Sequence, residues 1–409
     1  KSIVCIHVPQ ADWRMKPVFL NENPYKGSFK RNHEGDYHCT EMEVRAMIRD
    51  ANEDGNDGGL LDGFTLDDID ANTLHGYRNQ FKILNADHDW NDKDDKEFLR
   101  LLGGYTKNRQ TGKEGLTVAG LMMFGTGLAI RERFGNFRMD YLDMSHLEGE
   151  ERYRDRLTYD GRWENNLYQF FRIVMPKLTF DLPHPFHMVG YQRVDDTPQM
   201  KAVREGFTNS IIHSDLFLDS GILRIEKHDD CLCLRNPGNL KLPIENIYEG
   251  GVSKARNPRI QNMLRMIGYG ENIGSGFPKI ISAWQKAGWG KPELIDKYEL
   301  QEVELRLPIP NETGGQTDGQ TGGQTGGQTG GQTGGQTGGQ IGGQTGSPKT
   351  IEKVFELIKD NPYITRQELV DKLAIKASAI QKHIEKLKAQ KRIERVGSST
   401  FGGHWEIKE

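Results

Sequence analysis

The sequence predicts an α+β chain of several domains. Three observations predict it. At 409 residues the chain is longer than one hydrophobic core usually organises, so about two to four domains are expected. Period-2 and period-3.6 apolar patterns are mixed along the first 310 residues. A glycine-rich tandem repeat then separates that body from a compact tail.

Residues 1–50 read as strands followed by a helix. Ile3-Val-Cys-Ile-His-Val-Pro9, Lys16-Pro-Val-Phe-Leu20 and Ser28-Phe-Lys-Arg31 are strand-like. Thr40-Glu-Met-Glu43 has the spacing of a capping box and opens a helix through Met47. A strand ending in Val-Pro, a Lys-Pro-Val-Phe strand, a Phe-x-Arg strand and a Thr-x-x-Glu helix resemble the closing half of a Schlafen AlbA-type domain. That family is linked to nucleic acid, which makes Lys30 and Arg31 phosphate candidates. A solvated strand end is the commoner explanation of two such cations. Lys1 is not an initiator residue, and residues 1–8 already read as a mid-domain strand, so the N-terminus is expected to be truncated.

Residues 51–180 are expected to be a mainly helical connecting region. A loop rich in Gly, Asp and Asn over 51–62 precedes helical patterns at 66–80 and 92–102. Leu116-Thr-Val-Ala-Gly-Leu-Met-Met-Phe-Gly125 is an apolar run suited to a buried helix. A strand over 137–143 and a helix over 163–176 follow.

Residues 181–310 carry the chemistry. Val203-Arg-Glu-Gly-Phe-Thr-Asn-Ser-Ile-Ile-His-Ser-Asp215 places Glu205, Asn209 and His213 four residues apart, on one helix face. Val203, Phe207 and Ile211 repeat at the same spacing on another face, the one expected to be buried. A carboxylate one turn from a carboxamide can place a water and a hard cation: the carboxylate takes the proton, and the amide oxygen ligates Mg²⁺. The bland alternative is a solvated polar stripe. Two strands follow, Gly221-Ile-Leu-Arg-Ile-Glu226 and Cys231-Leu-Cys-Leu-Arg-Asn-Pro-Gly238. Ser253-Lys-Ala-Arg-Asn-Pro258 contains a helix start, with Asn257 as N-cap and Pro258 at N1. Gly270-Glu-Asn-Ile-Gly-Ser-Gly276 opens an amphipathic segment over 277–287, where close backbone approach and free N–H groups suit phosphate.

This order of parts resembles the GHKL ATPase fold of histidine kinases, gyrase and MutL, an α/β sandwich. The nearest branch is that of the bacterial RecG-related or Schlafen-AlbA-type transcriptional regulators. Its helix reads roughly Arg-Glu-Ala-x-x-Asn-Ala-x-x-His-Arg-Asp-Tyr, against Arg204-Glu-Gly-Phe-Thr-Asn-Ser-Ile-Ile-His-Ser-Asp-Leu216 here. The Leu-Thr-x-Ala-Gly-Leu-x-x-Phe-Gly element at 116–125 also matches. The resemblance implies a water-activating base at Glu205, a Mg²⁺ ligand at Asn209 and a phosphate-side loop at Gly274, Ser275 and Gly276. His213, Asn236 and Gly238 join the nucleotide-binding set. Ser214 and Leu216 depart from the branch pattern. GHKL proteins read adenine with an Asp, whereas Asn236 stands here, and an Asn cannot offer a charged acceptor to the adenine amino group.

Residues 311–347 form a linker. Eight Thr-Gly-Gly-Gln quartets, one with Asp318 and one with Ile341, fill 313–346. Such a segment cannot bury enough apolar surface to fold. Its 34 residues span about 30–35 Å as a flexible coil.

Residues 348–409 read as three helices and a Gly-rich hairpin. Ile351, Val354, Phe355 and Ile358 mark the first helix. Thr365-Arg-Gln-Glu368 is a capping box for the second. Ile380, Ile384 and Leu387 line the third, and Gly397-Ser-Ser-Thr-Phe-Gly-Gly403 joins two strands. The pattern resembles a winged helix-turn-helix, whose third helix enters the major groove of double-stranded DNA. Ser378, Gln381, Lys382 and Lys386 are the candidate DNA contacts. Winged helices also serve as protein-binding modules.

Charge supports this division. The chain carries a net −4, but residues 348–409 hold 13 Lys+Arg against 9 Asp+Glu, leaving the tail at +4 and the rest at −8. Nucleic acid is therefore expected at the tail. The cysteines at 5, 39, 231 and 233 lack zinc spacing. Cys231 and Cys233 share one side of a strand, but without a second pair or a nearby His they read as reduced thiols. No window approaches 18 apolar residues and no signal peptide is recognisable, so a soluble, cytoplasmic chain without membrane contact is expected. No Gly-x-x-x-x-Gly-Lys-Ser/Thr loop occurs, which argues against helicase activity. The sequence thus points to an ATP- and Mg²⁺-binding transcriptional regulator that binds DNA through its tail, alone or as a homo-oligomer reaching paired half-sites. An ATPase acting on nucleic acid, and a scaffold with a decayed pocket, are the alternative readings.

Overall fold

The computed structural model describes Val4, Val8 and residues 11–310, apart from 33–34, 181, 183–187, 190–191, 194–196, 220 and 271–275. Of the tail it describes 353–355, 357–359, 361, 364, 369, 373, 377–390, 392–396 and 404–408. The repeat at 313–346, the strand expected over 3–9 (save Val4 and Val8) and the capping box at 365–368 lie outside the described residues. The chain divides into two compact units, Lys1–Asp318 and Gly319–Glu409.

The first unit begins with a 3-10 turn, Trp13–Met15, and a short helix, α1 (Pro24–Gly27). Strands β1 (Phe29–Asn32) and β2 (Gly35–His38) pair antiparallel. The strand expected at 16–20 is reduced to an isolated bridge between Phe19 and Ser28. Helix α2 (Glu41–Asp50) starts at the expected capping box: Thr40 Oγ1 accepts from the Glu43 N–H at 3.2 Å, and Glu43 Oε2 accepts from the Thr40 N–H at 2.7 Å. Lys30 is a correction. Its Nζ lies 2.8 Å from Glu43 Oε1 and 3.0 Å from Glu299 Oε2, so it ties β1 to α2 and is already committed to carboxylates. Arg31 pairs with Asp36 at 3.1 Å.

The helical stretch expected at 66–80 is broken. A 3-10 turn, Leu66–Asp68, precedes α3 (Ala71–Leu84), because Asp70 Oδ2 accepts from the Thr73 N–H at 2.7 Å and caps a fresh helix. The helix expected from 92 likewise begins later, as α4 (Asp95–Leu102), with Asp94 accepting from the Glu97 N–H at 2.7 Å. The hairpin β3 (Tyr105–Lys107) and β4 (Glu114–Leu116) leads to α5 (Val118–Phe124), every residue of which is buried. A Cβ on Gly120 would fall 2.0 Å from the Gly104 carbonyl oxygen, so only glycine allows this approach of helix to hairpin. Helix α6 (Gly127–Arg133), strands β5 (Arg138–Asp143) and β6 (Asp155–Leu157), and helix α7 (Leu167–Thr179) follow. Pro176 lies inside α7 and does not end it at 176 as expected.

After the short hairpin β7 (Met188–Val189) and β8 (Gln192–Arg193), α8 runs Pro198–Ile212. It begins with Thr197 as N-cap and stops one residue before His213, which is the C-cap rather than an interior position. Then come β9 (Ile222–Lys227), β10 (Cys231–Pro237), α9 (Ile244–Glu249), α10 (Pro258–Met266), α11 (Gly276–Ala287), β11 (Glu293–Lys297) and β12 (Glu302–Pro308). One six-stranded sheet has the order β11-β12-β10-β9-β5-β6, and only the β5–β9 pair is parallel. Leu223, Ile225, Leu232, Leu234, Leu305 and Leu307 bury one face of it in the same core as Val203, Phe207 and Ile211 of α8. That core runs from Leu61 to Leu307. Phe207 stacks on Phe171 of α7 at 4.8 Å.

Two local expectations are corrected here. Asn257 is at the N-cap position of α10, but its side chain does not cap. Its Nδ2 donates to the Ile211 and Ser214 carbonyls, at 3.3 and 2.8 Å, which stitches α10 to the end of α8. The cap comes from far upstream: Asp57 Oδ2 accepts from the Ile260 N–H at 2.8 Å. The Cys-x-Cys pair does have a histidine nearby. The β9–β10 turn is tight, the His228 N–H donating to the Cys231 carbonyl at 2.9 Å, and it brings His228 to the cysteines.

In the second unit, Val354, Ile358, Ile364, Leu369, Ile380, Ile384, Leu387, Ile393 and Trp405 form one buried cluster. The third helix of the expected module is α12 (Ala377–Ala389). Strands β13 (Ile393–Val396) and β14 (His404–Ile407) pair antiparallel as the expected hairpin. Trp405 Nε1 donates to the Ile364 carbonyl at 3.3 Å, anchoring the hairpin to the helices.

Candidate functional site

Helix α8 lies across the sheet because Gly206 lets it come close: a Cβ there would meet Leu305 Cδ2 at 3.0 Å and Leu234 Cδ1 at 3.1 Å. Beside it opens a cleft with about 950 Å³ of empty space, part of it open to solvent, whose walls include Leu294, Val303 and Leu305 of the sheet. Glu205, Asn209, His213, Asn236 and Gly276 all line it. Residues read from three separate stretches of sequence therefore converge on one cleft. Gly238 lies in an adjoining cleft with Asp50, Asp215 and Arg256. Gly274 and Ser275 lie outside the described residues.

Glu205 and Asn209 meet directly. Asn209 Nδ2 donates to Glu205 Oε1 at 3.2 Å, which turns the amide oxygen to the other branch of the side chain. Glu205 also abuts the first residue of α11. A Cβ on Gly276 would sit 2.1 Å from Glu205 Oε1. The carboxylate thus rests against the N-terminal residue of α11.

His213 closes one end of the cleft. Burial, with Arg256 and Lys241 nearby, pushes its pKa down to about 4, so the imidazole is neutral at ordinary pH. The Arg256 side chain is buried and fully engaged. It chelates Asp50 through Nε at 2.8 Å and Nη2 at 2.7 Å, and its Nη1 donates to the His213 carbonyl at 2.7 Å. This fastens the 253–258 loop to both α2 and the end of α8.

Four lining residues were missed by the sequence reading. Lys241 and Lys254 bring positive charge to the cleft. Burial pushes the Lys241 ammonium down to about 8, and its Nζ lies 4.1 Å from the centre of the Trp13 ring. Arg256 supplies the latch. Asn239 presents a buried Oδ1 with no hydrogen-bond partner in the protein. None of these follows a short motif. The one sequence signal was the Ser253-Lys-Ala-Arg-Asn-Pro258 run, whose cations carried no assigned role.

In the tail, Lys382 and Lys386 are exposed on α12, while Ile380, Ile384 and Leu387 are buried. Gln381 Nε2 donates to Glu385 Oε1 at 2.6 Å, so reading a base would require it to exchange that partner. Ser378 falls within α12, and its side chain lies outside the described residues.

Family models match three separate stretches. Residues 45–140 match a domain of unknown function, DUF8451. Residues 222–305 match the family described as "Putative ATP-dependent DNA helicase recG C-terminal". Residues 348–394 match winged helix-turn-helix DNA-binding domains. No curated protein matches. Among solved structures, the DIP2311 protein from Corynebacterium diphtheriae is similar at 13% identity and a TM-score of 0.47, over 93% of this chain and 75% of that one. The chain is thus a multidomain α+β protein with a RecG-C-terminal-like, ATPase-type domain and a C-terminal winged helix-turn-helix. Among the described residues, no helix is long and apolar enough to cross a membrane.

Proposed function

We propose that this chain is a nucleotide-responsive DNA-binding regulator. In this reading ATP with Mg²⁺ occupies the α8 cleft, and the winged helix, tethered by the glycine-rich repeat, binds duplex DNA. The observation that carries the reading is the convergence of Glu205, Asn209, His213, Asn236 and Gly276 on one cleft. The GHKL and AlbA-type resemblances belong to the same reading.

The residues fit the ligand. Asn209 offers an amide oxygen, a hard donor of the type Mg²⁺ takes. Gly276, having no side chain, lets the Glu205 carboxylate reach the start of α11. Lys241 and Lys254 supply cations for the phosphates. The unpartnered Oδ1 of Asn239 is an acceptor for the adenine amino group, which answers the missing Asp at Asn236. Bound Mg²⁺ would screen and orient the phosphates. In this reading Glu205, which accepts from Asn209, would take a proton from a water. The regulator reading does not require that step.

DNA binding rests on the winged-helix match and the +4 tail. A gel-shift series tests the whole reading. The intact chain should shift random duplex at low salt and tens of micromolar protein, and ATP–Mg²⁺ should change the midpoint. No shift would move the tail to protein binding. A shift indifferent to nucleotide would separate the cleft from the tail.

A further inference from the structure

We propose that the β9–β10 hairpin carries a zinc-type metal site built from Glu226, His228, Cys231 and Cys233. The site is distinct from the α8 cleft, none of whose lining residues it shares.

The backbone makes the array. Glu226 is directly opposite Cys233 in the antiparallel register, and the His228 N–H bonds the Cys231 carbonyl across the two-residue turn Asp229-Asp230. Side chains two apart on a strand share a face, and so do directly paired residues. All four potential ligands therefore project from the same face of one hairpin, as two adjacent cross-strand pairs. On the alternate positions, Ile225, Leu232 and Leu234 belong to the core on the other face.

Side-chain geometry agrees for three of the four residues, and Cys231 adjoins that group through Cys233. The ligand atoms of Glu226, His228 and Cys233 lie within 4.8 Å of one another. His228 Nε2 is 3.5 Å from Glu226 Oε2, and Cys231 Sγ is 3.6 Å from Cys233 Sγ. Tetrahedral zinc, with bonds of about 2.3 Å to sulfur and about 2.0 Å to nitrogen or oxygen, requires S···S near ~3.8 Å and N···O near ~3.3 Å. Both spacings are met within a few tenths of an ångström. Cys233 and Glu226 are buried and His228 is half-buried, so a metal here would be shielded from water on most sides.

Two thiolates and an imidazole select zinc or another borderline-soft ion over Mg²⁺ or Ca²⁺. Arg235 competes for Glu226, with Nη2 at 3.2 Å from Oε2. It has a second carboxylate, Glu304 Oε2 at 3.1 Å, and so keeps a partner when Glu226 turns to a metal. A bound ion would pin the start of β10, the strand whose far end brings Asn236 to the cleft.

Cobalt titration of the zinc-free full chain tests the proposal. One equivalent of Co²⁺ should produce thiolate-to-cobalt charge-transfer absorption and the strong visible bands of tetrahedral Co²⁺, and Zn²⁺ should bleach both. Cys231→Ser and Cys233→Ser should each weaken the charge-transfer band, and Cys39→Ser should leave it unchanged. His228→Ala keeps both thiols and lies at a turn, so it tests the site even if a strand cysteine variant fails to fold. It should demand far more Co²⁺ for the same absorption. No charge-transfer band in the wild-type chain would overturn the proposal. So would a titration unaltered by His228→Ala, or a band undiminished in Cys233→Ser.

Discussion

Replacing His213 by Gln should change how stability depends on pH in a way the structure specifies. His213 is half-buried at the end of α8, beside Arg256 and Lys241, and its folded pKa is down at about 4 against an ordinary 6.5. A lowered folded pKa means that the unfolded chain takes up the proton first. The stability contributed by neutral His213 is therefore fully present above pH 6.5 and is lost as pH falls toward 4. Between pH 7.5 and pH 5.0 the loss is about 2 kcal/mol, at 1.36 kcal/mol per pKa unit. Gln cannot titrate and keeps a polar side chain of similar reach. Urea denaturation followed by tryptophan fluorescence, on wild type and His213→Gln at both pH values, gives the double difference. Any packing cost of the substitution appears at both pH values and cancels. The buried carboxyl of Asp57 has its pKa raised to about 6 and opposes this trend, but it is common to both proteins and cancels as well. The variant should gain about 2 kcal/mol relative to wild type on going from pH 7.5 to 5.0. Parallel pH dependences would show that His213 is not held neutral by its surroundings, and the electrostatic description of the cleft would fail with it.

If the cleft hydrolyses ATP, Glu205→Ala should keep ATP binding and lose about 10²–10⁴-fold in turnover, measured as phosphate release; undiminished release would place the base elsewhere. Gly276→Ala should push Glu205 off Asn209 and lower stability by about 1 kcal/mol, the net worth of one hydrogen bond. Combining it with Glu205→Ala removes the clashing carboxylate, so the double variant should melt no lower than Glu205→Ala alone. Additive losses in thermal melts would contradict the contact. Lys382→Ala with Lys386→Ala should reduce the salt dependence of DNA binding by about two units in the log–log slope, and an unchanged slope would remove both residues from the phosphate contacts.

Much of the candidate site was legible because its residues are local in sequence. Glu205 and Asn209 are one helical turn apart, and the apolar repeat Val203, Phe207, Ile211 fixed which face they occupy. The tail was legible for the same reason: three short amphipathic segments and a glycine-rich hairpin declare themselves by period and turn chemistry. What was not legible depended on contacts between distant parts of the chain. Asp57 caps α10 across about two hundred residues, which freed Asn257 for a different task than the one its Asn-Pro dipeptide advertises. Lys30 looked like a solvated cation until α2 and Glu299 surrounded it. Helix starts at 66 and 92 were read too early because the apolar period continues through Asp70 and Asp94, whose capping bonds decide the boundary. His228 stands three residues before Cys231, but only a two-residue turn puts its ring beside the thiols.

The central claim is that the α8 cleft holds ATP through a Mg²⁺ ion on Asn209. Isothermal titration of ATP into the intact chain, with and without Mg²⁺, for wild type and Asn209→Ala tests it most directly. The account predicts Mg²⁺-dependent binding by wild type. It predicts loss of that dependence in Asn209→Ala, with stability lowered by no more than about 1 kcal/mol for the missing hydrogen bond to Glu205. No ATP binding by the wild-type chain, or Mg²⁺-dependent binding that survives Asn209→Ala, would contradict it.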